Sequence, residues 1–466
     1  YLDGPVSVTG ALNVDGSLDD PTTLKNGTVI FASHSLLVAN VSDLTGTLIT
    51  ADAITVDEDS RAVLTGVSAG TEYKLTSTAA DGDMWTKENI TSANALYTVD
   101  VVDADKNSVT FRQEKAEDVY AGLMQGTEIV NAAMAGKSGE AEYDYVNNLL
   151  TEISGDKALA AARFDAAMNP AGALGVYTNA HDRARDMKRA VRSEAGSSAD
   201  SRLWVEAMGG RSSLNGISTG AQPLDLDIDY AGIILGGEGG VNEVRFGAAF
   251  MAGIGETDND RAAAEDEFDY YGLSLYGQYS FGSVKVSADA SATWLKSDLK
   301  VGGSAHAAAD ATTSVYSFGL TAARDFEIRG ATVTPFVGAD VYHISSDGFR
   351  TNHGVKVDEA SATAVEFPIG AKIAAAFRTN GGAEIKPAFT LAVVPTAADR
   401  EIDAKVNYAG AASNYRYTFA DDVRISSDLS VAGSMGNFGF GLAAGYDWGN
   451  EERSAANVRG FLKYMF

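Results

Sequence analysis

Val284-Lys285-Val286-Ser287-Ala288-Asp289-Ala290-Ser291-Ala292-Thr293-Trp294 alternates without a break. Val284, Val286, Ala288, Ala290, Ala292 and Trp294 fall on one side of an extended chain; Lys285, Ser287, Asp289, Ser291 and Thr293 fall on the other. Successive side chains of a β-strand point to opposite faces, so this is a strand with one apolar and one polar face. Val333, Pro335, Val337, Ala339 and Val341 repeat the pattern, as do Val365, Phe367, Ile369, Ala371 and Ile373. It is clearest at the end of the chain, in Phe438, Phe440, Leu442, Ala444, Tyr446 and Trp448, then in Val458, Gly460, Leu462, Tyr464 and Phe466. Between Arg202 and Phe466 the spacing predicts twelve strands of roughly 9 to 15 residues, beginning near 203, 227, 243, 267, 284, 313, 331, 363, 384, 423, 437 and 456.

The connections decide what the strands build. Alternate ones are tight, at Gly239-Gly240, Gly282-Ser283, Arg329-Gly330, Asn380-Gly381-Gly382 and Met435-Gly436. The others are long and polar, at 214–226, 257–266, 301–312, 346–361 and 402–422, with a shorter one near 449–454. Turns at one end, loops at the other, an even strand count and an apolar face of period two predict an antiparallel transmembrane barrel. Small residues (Gly439, Gly441, Ala443, Gly445) stand opposite Phe and Leu, so the apolar face is expected to look outward to lipid. A closed barrel pairs its backbone groups internally, which lets a chain without apolar helices sit in a bilayer. No window approaches the roughly 20 continuous apolar residues of a spanning helix.

Composition removes several function classes. Thirty-six Lys and Arg against 63 Asp and Glu leave a net charge of -27, which argues against a nucleic-acid surface. The absence of cysteine excludes disulfides, thiol catalysis and cysteine metal sites. His34, His181, His306, His343 and His353 include no close pair that could frame a zinc site. No Ser/His/Asp or Cys/His constellation and no Gly-x-Ser-x-Gly elbow is present. No enzyme activity, catalytic residue, cofactor or metal is therefore expected, and Asp57-Glu58-Asp59 reads as a solvated turn before it reads as a calcium site.

Three further regions precede the barrel, which is assigned to 199–466. Over 1–72, short β-branched runs such as Thr28-Val29-Ile30-Phe31, Ser35-Leu36-Leu37-Val38 and Ala53-Ile54-Thr55-Val56 are bounded by turn formers. They suit irregular rungs of a β-solenoid, with an ordinary β-sandwich as the alternative. Residues 73–115, with Trp85, Leu96-Tyr97-Thr98-Val99 and Val109-Thr110-Phe111, read as a cap. Over 116–198 the period becomes helical: Val119, Leu123, Ile129 and Ala133 share one face, and Tyr145, Leu149, Leu150 and Ile153 the next. Asn169-Pro170 marks a break, and a last helix is expected from Asn179 as cap to Gly196. That helix carries Arg183, Arg185, Lys188, Arg189 and Arg192 against Asp182, Asp186 and Glu194, an excess of basic charge in an acidic chain. Arg185, Arg189 and Arg192 share a face. The plain alternative for such a helix is a solvated surface with internal ion pairs. The chain begins Tyr1-Leu2-Asp3-Gly4-Pro5 with no basic or apolar leader, so it is expected to be a fragment.

The order of these regions resembles the C-terminal part of a bacterial autotransporter of the type V secretion class: solenoid end, junction cap, helical linker, twelve-stranded barrel. Arg202-Leu203-Trp204-Val205-Glu206-Ala207 resembles the first barrel strand of that family, and Tyr464-Met465-Phe466 its C-terminal signal for barrel assembly, with Tyr464 and Phe466 the aromatic positions. Residues 73–112, with Trp85 and Asn107-Ser108-Val109-Thr110-Phe111, are similar to the junction that helps the passenger fold. The resemblance implies an outer-membrane translocator that exports and displays its own N-terminal passenger at the cell surface. It implies outer-membrane lipid, the barrel-assembly machinery and periplasmic chaperones as partners, with no nucleic acid and a monomeric state. It also implies a helix threaded through the pore. The basic helix would be that plug, and Glu206, Asp289, Asp340 and Glu366, each on the polar face of its strand, are the expected acceptors for its arginines. Asn147-Asn148 matches the pair at which some of the family cut themselves, but it lies too far before the barrel and is expected to be an ordinary helical pair. The competing classes are a porin-like channel, which would lack a basic helix, and a soluble solenoid adhesin, which would lack a lipid-facing pattern.

Overall fold

The computed structural model describes residues 6–466 apart from 9–10, 15–27, 32, 43, 50–52, 77–84, 195–200, 216–217, 220–221, 224, 380–382 and 451. The chain divides into two compact units, 1–164 with 409–411, and 165–408 with 412–466. The predicted helical linker is therefore shared between them.

The second unit is built on one closed sheet of twelve antiparallel strands. In chain order they are Arg202–Leu214, Leu226–Val241, Val244–Asn259, Ala264–Phe281, Val284–Val301, Ala307–Arg324, Ala331–Ser346, Ala360–Glu366 continued by Ile369–Ala375, Glu384–Ala398, Val423–Met435, Phe438–Gly449 and Arg453–Met465. Each pairs with the next, and the last closes on the first with Met465 opposite Arg202 and Arg453 opposite Leu214. The eighth strand breaks at Phe367-Pro368, where proline has no N–H to give to the ladder.

The alternation read from the sequence is the alternation of environments. Outward positions form an exposed apolar band in which Leu275 is 68% and Leu462 62% accessible, while Asp289, Ser291 and Thr293 are buried inside. Leu462 and Lys463 face opposite ways: the Lys463 side chain is 14% exposed and pairs with an acid inside the barrel. Leu462→Arg is expected to cost about 2–4 kcal/mol near the bilayer midplane, because the charge must be carried into hydrocarbon. Unfolding from lipid vesicles in urea measures it; a cost near zero would place Leu462 in water.

Four connections differ from their sequence reading. The first tight turn is not Gly239-Gly240: both glycines lie in the ladder, opposite Phe246 and Arg245, and the chain reverses at Asn242-Glu243. Asn242 takes φ +55°, a left-handed conformation that asparagine tolerates. The loops placed at 257–266 and 301–312 are mostly strand, leaving only 260–263 and 302–306 as connections. Beyond the lipid band the polarity inverts. Leu295, Leu299 and Val301 are buried inside while Asp298 faces water, so a polar outer row disguised a continuing strand. The 402–422 loop is largely a hairpin, Glu401–Tyr408 and Ala411–Thr418, which joins Phe349–Arg350 and Lys356–Val357 in a separate four-stranded sheet. The turn at 380–382 lies outside the described residues.

The first unit begins with parallel ladders. Ala11 pairs with Leu36 and Leu36 with Arg61; Val6 pairs with Val29 and Thr28 with Ala53. Phe31, Leu37, Ile54 and Leu64 are buried between them, and Trp85 closes edge-on against Phe31 at 5.2 Å. The hairpin Tyr97–Asp103 and Ser108–Gln113 adds antiparallel to Glu72–Thr76, which pairs parallel with Thr47–Ile49. It thus ends a parallel stack with antiparallel strands. The helices Thr127–Met134 and Ala141–Leu150 bury Ile129, Val130, Tyr143, Val146 and Leu149, whereas Ile153, expected on that face, lies past the helix end and is 46% exposed. The Tyr97 and Tyr143 hydroxyls meet at 2.6 Å; burial first, then this hydrogen bond, pushes the Tyr97 phenol up. Among the described residues no helix is long and apolar enough to cross a membrane, which says nothing about strands that do.

Candidate functional site

Inside the barrel runs the helix Val176–Glu194. It starts three residues before the predicted Asn179 cap. Gly175, at φ +63°, ends the short helix Pro170–Ala173, and the next helix begins at once. The Asn179 amide already donates to the Gly175 carbonyl, and Asp182, read as the capping partner, is committed elsewhere. The predicted end at Gly196 lies outside the described residues. Ala180, Ala184, Met187, Ala190 and Val191 are buried, and so are Arg183, Arg185 and Lys188 between them, because every side of this helix meets a wall. The alanines and Met187 also supply helix propensity.

The walls answer its charges. Arg185 donates through Nε to Glu366 Oε1 at 2.8 Å, with a second bond from Nη2 to the same oxygen. Lys188 Nζ lies 2.5 Å from Asp289 Oδ2 and 3.4 Å from Asp340 Oδ1. Arg192 bridges the same two acids, with Nε 2.8 Å from Asp289 Oδ1 and Nη1 3.0 Å from Asp340 Oδ2. The tips of Lys188 and Arg192, with the Asp340 carboxylate, occupy the space where a side chain on Gly319 would stand. Glu206, the fourth expected acceptor, is not beside the helix arginines; it faces Arg459 of the last strand at 3.8 Å.

Other partners carry no sequence signal strong enough to be chosen. Arg189 donates to Asp447 at 2.7 Å, and Arg424 links Asp447 to Glu366 at 3.3 Å from each. The result is an unbroken alternation, Arg185–Glu366–Arg424–Asp447–Arg189, from helix to wall and back. Asp182 pairs with Arg185 at 2.9 Å and with Arg453. Among the described residues Arg183 pairs with no wall acid. It pairs with Asp186 at 3.2 Å, its guanidinium lies 3.2 Å from the centre of the Tyr230 ring, and the Tyr270 ring is the next nearest at 5.7 Å. In a desolvated site such a cation–π contact contributes about 2 kcal/mol.

The two ends of the helix are held differently. Glu194 is buried and pairs with Lys463 at 2.6 Å and Arg202 at 3.7 Å, so it bridges the last and first strands across the closing seam. Arg202 and Arg245 then share Glu238, at 3.1 and 2.8 Å. At the other end the contacts are aromatic, with Tyr177 6.2 Å from Tyr417 and His181 4.6 Å from Tyr342. Tyr464 and Phe466 stand outside on the apolar band, Tyr464 packed on Phe438 at 5.2 Å. Asn147-Asn148 belongs to the first unit, in the helix Ala141–Leu150, where Asn147 accepts from Asn94 at 2.8 Å. Asp57 uses its carboxylate to accept the Asp59 amide within a turn. Chemically, the arrangement is a filled pore whose filling is ion-paired to its wall.

Comparison with a protein family agrees with this geometry. The family model described as "Autotransporter beta-domain" matches residues 203–447. Among solved structures the chain is similar to the translocator domain of the autotransporter NalP from Neisseria meningitidis, at 12% identity and a TM-score of 0.49, covering 62% of this chain and 99% of that one. It is also similar to the β domain of the Bordetella autotransporter BrkA, at 15% identity and TM-score 0.41 over 57% of this chain and 100% of that one. The transport unit of AIDA-I from Escherichia coli gives 15% identity and TM-score 0.44 over 58% and 92%. No curated protein matches the chain.

Proposed function

The chain belongs to the autotransporter β-domain family, outer-membrane translocators, and from that premise we propose that it exports and then displays the protein segment that precedes its barrel. The observation that carries this reading is the charged helix held inside a twelve-stranded barrel by Glu366, Asp289, Asp340 and Asp447. A pore of that width admits one helix of about 10–12 Å diameter and little more. After export, the last segment of the exported chain remains threaded and closes the hole it passed through. The parallel ladders of 6–92 are then the final coils of a β-solenoid passenger, and the hairpin of 97–113 is the cap against which it folds. Tyr464 and Phe466 present the aromatic end that the assembly machinery reads, with periplasmic chaperones delivering the unfolded barrel and lipid accepting the finished one. The barrel itself is a transporter and not an enzyme.

Threading also sets direction. The helix runs from the loop end to the turn end of the barrel, so the long connections and the passenger belong outside the cell. Protease added to intact cells is expected to cut at exposed turns of the loop end, around Asn352-His353, and to spare the turns at Gly282 and Gly436. Cleavage at the turns alone would reverse the orientation. Outer-membrane fractionation with heat-modifiable gel mobility of the same cells tests the location itself.

A further inference from the structure

The hairpin formed by Glu401–Tyr408 and Ala411–Thr418 springs from the loop end of the barrel, where a freely solvated loop would be polar throughout. It is not. Along its first strand exposed and buried residues alternate strictly: Glu401, Asp403 and Lys405 face water, and Ile402, Ala404 and Val406 have no accessible surface. Tyr415, Tyr417, Phe419 and Ala420 continue the buried face, while Arg416 lies outside and pairs with Asp403 at 2.7 Å. An apolar face of this size is stable at a pore mouth only when something covers it.

The cover includes the start of the threaded segment. A side chain on Gly172 would run into the Tyr417 ring, so ring and backbone approach as only glycine allows. Tyr177 lies 6.2 Å from the same ring, and His181 lies 5.6 Å from Phe419. The turn is fixed from the wall as well, since Asn259 donates to the Ala173 carbonyl at 2.9 Å. Ala171, Gly172, Ala173, Leu174 and Tyr177 are all buried.

We infer that the 401–418 hairpin is a second closure of the pore, latched onto residues 170–181 by Tyr417 seated over Gly172. The ionic helix holds the threaded chain along the barrel; the hairpin seals its outer end by aromatic packing. Tyr417 is a positioning residue. While a chain is still passing, the small, turn-bound Pro-Ala-Gly-Ala sequence at 170–173 is not yet at the mouth and the ring has no seat, so the latch forms only when export is complete. This rests on the translocator reading above.

The chain has no cysteine, so Ala173→Cys supplies a single thiol probe at a buried position of the latch. In intact cells a membrane-impermeant maleimide is expected to label that thiol slowly when the latch is otherwise unaltered. Adding Tyr417→Ala is expected to raise the labelling rate about tenfold, through a larger open population. Gly172→Val should do the same by unseating the ring, and combining it with Tyr417→Ala should add little, because the two changes break one contact. Asp403→Ala, on the outer face of the hairpin, should leave labelling at the parent rate. Heat-modifiable mobility confirms insertion of each variant, and Gly172→Val keeps the test alive if Tyr417→Ala fails to insert. Equal labelling in the inserted parent and the inserted variants would overturn the latch alone. Absence of the parent from the outer membrane would instead overturn the translocator reading on which it rests.

Discussion

Deletion of residues 176–194 turns a sealed barrel into a conducting one. In planar bilayers the intact protein is expected to pass small and infrequent currents, and the deletion to show single-channel steps several-fold larger. The physical reason is volume: the helix is the main body of protein inside a lumen scarcely wider than itself. Its removal also leaves Asp289 and Asp340 facing water without the Lys188 and Arg192 that pair with them. Replacing Arg185, Arg189 and Arg192 together by Glu should give an intermediate leak. The helix remains, but each of these contacts becomes a like-charge pair in a desolvated site. If the deletion conducts no better than the intact protein, the helix does not close the pore and the plug reading fails.

Glu366→Ala should be the most damaging single substitution in the lumen. Glu366 accepts from Arg185 at 2.8 Å, lies 3.3 Å from Arg424, and has 1% of its surface exposed. Its removal leaves two buried guanidiniums with only Asp182 and Asp447 to share between them. Breaking a buried pair by deleting one partner costs about 3–5 kcal/mol. An exposed pair such as Arg416 with Asp403 contributes far less, about 0–1 kcal/mol. Urea unfolding of the refolded barrel in detergent, followed by gel mobility, measures the difference. Asp403→Ala serves as the surface control. Equal midpoints for the two variants would mean that the lumen network is as hydrated as the surface, and the argument from burial would fall.

Much of this architecture is legible without coordinates because two solvents act on one pleat. Lipid on one side and a polar lumen on the other force period-two patterning, and the strand at 284–294 or 438–448 cannot satisfy both with any other repeat. The basic helix is legible because five positive charges within the short stretch from His181 to Arg192 of an acidic chain need a counterpart. Where the patterning carries a different message, the reading slips. The strands around 257–266 and 301–312 extend beyond the bilayer, where water lies outside and apolar packing inside, so the outward residues turn acidic and look like loop. Asp447 stands beside Trp448 and Gly449, where a carboxylate looks like the onset of a connection. Tyr230 and Tyr270 carry no charge, so nothing in the sequence marks them as the partners of Arg183. Asn179 resembles a cap because Asp182 follows it at the spacing of a capping pair, but Asp182 is held by Arg185 and Arg453.

Strand number, facing and the presence of a charged linker were therefore determined by the sequence alone, since each follows from local periodicity and from charges a few residues apart. Tertiary structure decided the partners. Arg185 and Glu366 stand 181 residues apart and Arg189 and Asp447 258 apart, and which acid meets which arginine depends on the stagger of twelve strands around one helix. The same holds for Glu206, which has the right residue type on the right face but lies next to Arg459. It holds also for the 401–418 hairpin, whose apolar side makes sense only once residues 170–181 are folded beneath it. Local patterning can specify a face, but only the closed barrel specifies what that face meets.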